Sequence, residues 1–175
     1  MTIIAIDPGA NGGIAIYKKN RLEHVIHMPK NLSDLKIYFD YVKENNERVI
    51  VFIEKVQMFM SDSDEENKGK QFRIKKLLSN FDQLKSLIVY YGFEFVEVYP
   101  ITWQSNLGLN YKNIPKTERK NLYKESAGYC FPAVKITLYN ADALLILHFA
   151  LNKIKSDNKW IEERIQNRKS TNLFG

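Results

Sequence analysis

Residues 3–20 read IIAIDPGANGGIAIYKKN, and the fold follows from how this stretch is taken. Ile3, Ile4, Ala5 and Ile6 make an apolar run with no polar face, the pattern of a strand buried on both sides. The run goes straight into Asp7, and Pro8, Gly9, Gly12 and Gly13 then turn the chain into a second strand. A carboxylate at the tip of a buried strand is costly unless something pairs with it. Nothing basic adjoins Asp7 in sequence, so its partner has to arrive from a distant part of the chain.

Working outward, residues 2–7 and 12–17 read as two strands, and Lys18, Lys19, Asn20 and Arg21 as a polar tip before a third strand over 22–28. Leu32, Leu35, Ile37, Phe39 and Val42 suggest a helix capped by Asn31 or Ser33. Residues 48–53 form another continuous apolar run, a buried central strand that ends, like the first, on an acid, Glu54. The polar stretch SDSDEENKGK at 61–70 reads as a mobile loop. Ile74, Leu77, Leu78, Phe81, Leu84, Ile88 and Tyr91 then recur at spacings of three and four, the mark of a long amphipathic helix that Gly92 stops. A fifth strand at 93–99, a connector at 100–109, helices at 116–128 and 139–153, and an amphipathic piece at 160–168 capped by Asp157 complete the chain. Three meandering strands, then alternating helix and strand, then helices, predict a mixed α/β sheet covered on both faces.

The 175 residues suit one domain with a real core. Net charge is +6, from 26 Lys+Arg against 20 Asp+Glu, which favours a polyanionic partner such as nucleic acid. One cysteine, Cys130, excludes an internal disulfide and disfavours a cysteine zinc site. No apolar run approaches the roughly 20 residues that span a bilayer. The first residues lack a basic n-region and cleavage site, so a cytoplasmic protein is expected.

Asp7 and Glu54 end two strands, and a third acid, Asp142, starts an otherwise apolar helix in ADALLILHFA at 141–150. An acid in a helix's first turn has an ordinary explanation in capping and the macrodipole. Three acids at the ends of buried elements are harder to explain that way. Like charges held close repel by several kcal/mol unless a proton or cation intervenes. Oxygen donors without His or Cys suit a hard cation, Mg²⁺ or Mn²⁺.

Four stretches, IAIDPGANGGIAI, VFIEKVQMF, VYPITWQSNLGL and ADALLILHFA, occur in an order and spacing that resemble the RuvC-type Holliday junction resolvases, in particular the small versions of bacteriophages and related viruses. The resemblance runs from residue 3 to about 152. It implies a ribonuclease H-like fold, with residues 1–155 as the nuclease domain and 156–175 as a C-terminal amphipathic helix and tail. It further implies a homodimer that makes paired nicks in four-way DNA junctions with two divalent ions per active site, leaving 5′-phosphate and 3′-hydroxyl ends. A phage-encoded protein of this kind works in the host cytoplasm. Asp7 matches the first-strand acid, Glu54 the central-strand acid and Asp142 the final-helix acid. The family's fourth ligand, about one turn before the last, has no acidic counterpart in Leu138, Tyr139 or Asn140; Asn140, Glu97, Asp62 or water are the candidates.

KGKQFRIKK at 68–76 and the cluster Lys112, Lys116, Arg119 and Lys120 are candidate phosphate contacts, read equally well one by one as solvated helix faces. In the first cluster Lys70 and Arg73 are the candidates for DNA. The resemblance puts Lys116, Arg119 and Lys120 near the scissile phosphate and offers Phe59, otherwise a core phenylalanine, as a wedge at the crossover. It also makes 72–91, whose stripe by itself says only core, the dimer helix. His24, His27 and His148 read as structural residues, although His148 could stand behind Asp142. Forks and other branched DNA are further candidate substrates, with neither a membrane nor a nucleotide cofactor expected. Two rivals stand beside this reading. Actin-like kinases and chaperone ATPases share the acid–glycine turn, but need two such domains around a nucleotide. A catalytically impaired resolvase relative that binds branched DNA would fit the missing fourth acid.

Overall fold

The computed structural model describes residues 1–44, 47–56, 68–109, 111 and 113–171, excepting the side chains of Lys68, Lys70 and 166–171. Strands β1 (Thr2–Ile6), β2 (Gly13–Lys18) and β3 (Arg21–His27) lead to a 3₁₀ turn (Leu32–Leu35) and α1 (Lys36–Lys43). After β4 (Val49–Glu54) come α2 (Lys68–Tyr90), β5 (Glu94–Val98), α3 (Pro100–Asn106), α4 (Lys116–Cys130), α5 (Ala141–Ser156) and α6 (Asn158–Thr171).

The sheet order is β3-β2-β1-β4-β5. The first three strands pair antiparallel, and β1, β4 and β5 run parallel. Lys19 and Asn20 close the β2–β3 hairpin with φ of 51° and 61°, the two positive angles that a twisted two-residue turn requires. The polar tip expected there is narrower than its sequence suggests. Lys18 is buried, its ammonium 4.2 Å from the centre of the Tyr41 ring and 3.3 Å from the Tyr41 carbonyl.

Side-chain parity divides the core in two. Ile3, Ala5, Ile50, Phe52, Val96 and Val98 face α3 to α6, while Ile4, Ile6, Val51 and Ile53 face α1 and α2. This is the five-stranded mixed sheet with helices on both faces that the sequence predicts. Helix α5 is the central helix of its layer, with nine of its first ten residues buried. Helix α6 packs on the same layer through Ile161 and Ile165, and Asp157 accepts the Trp160 N–H at 3.2 Å as the expected cap. Gly92, at φ 71°, ends the long helix as expected. That helix begins at Lys68, inside the stretch read as a loop; the loop's other residues, 61–67, lie outside the described ones.

Candidate active site

The parallel register pairs Ile6 with Ile53, so the next residues along, Asp7 and Glu54, end adjacent strands at the same level. Both share the parity of Ala5 and Phe52, and therefore turn to the face that α5 covers. The C-terminal ends of parallel strands are where open α/β sheets commonly hold ligands. Gly12 and Gly13 make the approach possible. A Cβ on Gly12 would come 2.8 Å from Asp7 Cγ. On Gly13 it would come 2.7 Å from the Tyr139 carbonyl oxygen, blocking the loop that delivers Asp142. The Gly9 N–H donates to Asp7 Oδ1 at 3.2 Å and fixes the carboxylate on its turn.

The three acids converge within each other's fields. Burial, and after it the charge of Asp142, lifts the Asp7 pKa to about 6. Burial, then Asp7, then Asp142 lift Glu54 to about 8. A first-turn acid gains only about 0.3–1 kcal/mol from the helix dipole. Desolvation and like-charge repulsion run to several kcal/mol, so capping does not account for the arrangement. Asp142 is 7% exposed, and its buried Oδ1 has no hydrogen-bond partner among the described residues.

Among the described residues, one cation answers the three acids. The Lys120 ammonium, from α4, forms a short ion pair with Asp142 Oδ2. Although burial alone would lower its pKa, the charges of Asp142, Asp7 and Glu54 raise it. Glu54 has a second partner, since the indole Nε1–H of fully buried Trp103 donates to its Oε2 at 2.7 Å. Among the described residues, no three carboxylate, imidazole or thiol groups are drawn together tightly enough to hold an ion as they stand. The donors are nevertheless right for a hard cation: three carboxylates and, among the described residues, one oxygen unengaged and a single ammonium against three potential negative charges.

Two of the candidates for a fourth ligand are engaged elsewhere. Asn140 uses both ends of its amide in its own loop, Oδ1 accepting from the Thr137 N–H at 2.7 Å and Nδ2 donating to the Lys135 carbonyl at 3.2 Å. Glu97 shares the parity of Phe95 and so lies on the α2 face of the sheet, ion-paired with Lys55 and Lys85 at 3.4 Å each. Asp62 lies outside the described residues, as do Phe59 and Lys112; the Lys70 side chain does too. Lys116 and Arg73 are exposed, and Arg119 is half-buried beside Tyr123.

The histidines stay apart from the acids. His24 packs edge-on to Tyr38 and Tyr41, His27 to Tyr139, and His148 to Phe131. Among the described residues, a groove of about 920 Å³ lies away from the acids, between the 3₁₀ turn, α1 and α2. Sequence reasoning missed Trp103. The signal was available, because a buried indole N–H almost always needs an acceptor.

Compared by sequence, the chain matches no family model and no curated protein. Compared by structure, it is similar to Thermus thermophilus RuvC in complex with a Holliday junction substrate, with a TM-score of 0.55 and 14% identity over 90% of this chain and 97% of that one. A second structure of Thermus thermophilus RuvC gives 0.54 and 15% identity, over 89% and 96%. The fold is thus the ribonuclease H-like fold of RuvC, carried by a sequence that shares few residues with it. Among the described residues, no helix is long and apolar enough to cross a membrane.

Proposed function

We propose that this protein is a metal-dependent, structure-selective DNA endonuclease of the resolvase type, cutting four-way junctions and related branched DNA by paired nicks. The observation that carries the reading is the convergence of Asp7, Glu54 and Asp142 from three separate elements, with Lys120 alone to balance them among the described residues. The likeness to a RuvC structure that holds a Holliday junction supports the choice of substrate. The basic surface, at net +6, supports a nucleic-acid partner.

Asp7, Glu54 and Asp142 are the residues that would hold Mg²⁺ or Mn²⁺, two per site. When bound, such ions make a water nucleophilic and stabilise charge on the phosphate and the leaving 3′ oxygen, giving 5′-phosphate and 3′-hydroxyl ends. The chain's own part is to place the donors on two strand ends and the first turn of α5, keep Glu54 in a desolvated setting and bring cations to the phosphate. Lys116, Arg119 and Lys120 approach from α4, and Lys70 and Arg73 extend the contact along α2. Phe59 is the wedge in this reading. Paired nicking needs two active sites, so the working form is a homodimer. Helix α2 suits that interface, since it leaves Phe72, Val89 and Tyr90 outside the core at 70%, 51% and 76% exposure.

The Lys120–Asp142 pair favours one alternative, a branched-DNA binder whose site is neutralised from within. A fixed four-way junction, a fork and a linear duplex of matched sequence separate the two. The endonuclease predicts Mg²⁺-dependent nicks at symmetric positions on the junction, ligatable after release, with little cutting of the duplex. Tight junction binding with no nicking in Mg²⁺ or Mn²⁺ would favour the binder instead.

A further inference from the structure

Trp103 is fully buried on α3, directly behind the acids. Its ring packs edge-on against Tyr123 at 5.5 Å within the core, so the indole has little freedom to turn. Pro100 at the start of α3 fixes the entry of that helix from β5. From this setting Nε1–H meets Glu54 Oε2 at 2.7 Å. An indole nitrogen donates and never accepts, and its single N–H engages one carboxylate oxygen and not the other. An apolar plug would fill the same volume without doing this.

We infer that Trp103 is a positioning residue for Glu54, locking one carboxylate oxygen with its indole N–H so that the other is presented to a divalent cation. This rests on the metal-site reading above. Partners that orient metal ligands in this way typically change metal affinity or activity about 10–100-fold when lost. Trp103→Phe keeps an aromatic ring in the core and removes the donor, at the cost of a small cavity that the melting temperature reports.

The test uses the full chain without DNA, with Mn²⁺ affinity read from the EPR signal of the free ion. Trp103→Phe should weaken Mn²⁺ binding about tenfold or more. Its affinity for a four-way junction in chelator should equal that of wild type. A simple packing role would move the melting temperature but not the ion affinity, so unchanged Mn²⁺ binding by the folded variant overturns the inference. A variant that fails to fold leaves the wild-type protein to decide. The chain has two tryptophans, and Trp160 supplies the reference. The Trp103 indole N–H resonance should shift on Mg²⁺ addition and in Glu54→Ala while that of Trp160 stays in place; no shift in either case overturns the inference. If Glu54→Gln and Asp7→Asn also bind Mn²⁺ like wild type, the metal-site reading itself has failed, and the Trp103 inference falls with it.

Discussion

Asp7→Asn is expected to slow Mg²⁺-dependent nicking of a four-way junction about a thousandfold, the scale seen when one preorganised electrostatic group is removed from an active site. The substitution is nearly isosteric. The amide oxygen can still accept the Gly9 N–H that holds Asp7 Oδ1 at 3.2 Å, so the turn should survive. What disappears is one negative charge from the middle strand of the sheet, where Asp7 faces both other acids. Junction binding depends on phosphate contacts elsewhere and should stay within about twofold in chelator. Nicking that persists at the wild-type rate would remove Asp7 from the chemistry.

Glu54→Gln should produce two opposite effects, lost cleavage and a more stable metal-free protein. Asp7, Asp142 and Lys120 act electrostatically on Glu54, and Trp103 and Tyr123 line the same side. Its folded pKa, near 8, lies above the ordinary 4.5. Between those values the native protein keeps a proton that the unfolded chain has released. The unfolded state therefore binds fewer protons, and stability falls as pH rises. Asp7 adds to the same slope between 3.8 and about 6. The amide of the Glu54→Gln variant has no such proton to lose, and its oxygen can still accept from the indole. In metal-free buffer at pH 8 the variant should melt roughly 5 °C higher than wild type, with the gap closing toward pH 5. Adding Mg²⁺ should raise the wild-type melting temperature by ligand linkage and leave the variant unmoved. A wild-type melting curve that does not change between pH 5 and 8 would contradict the raised pKa ascribed to Glu54.

Much of this was legible in the sequence for a simple reason. Buried parallel strands are continuous apolar runs, so β1 and β4 announce themselves, and an acid ending each run stands out. The Gly12–Gly13 turn and the Gly92 stop are equally local signals. What could not be read depends on packing between distant segments. Trp103 and Glu54 are 49 residues apart, and Lys120 and Asp142 are 22 apart; no spacing rule links either pair. The start of α2 was hidden because its first turn is polar and carries no apolar stripe. Glu97 remained a candidate ligand until strand parity put it on the opposite face, and Asn140 until its loop took both ends of its amide. Lys120, expected at a phosphate, rests on Asp142 instead. The two roles are compatible if the ammonium exchanges partners when a cation enters.

That exchange is the most direct test of the whole account. Crystals soaked in Mn²⁺ and measured for anomalous scattering should show density bounded by the carboxylates of Asp7, Glu54 and Asp142, with the Lys120 ammonium moved off Asp142. Manganese bound only elsewhere, with Lys120 still seated on Asp142, would mean that lysine, not metal, is the lasting counter-ion of this site.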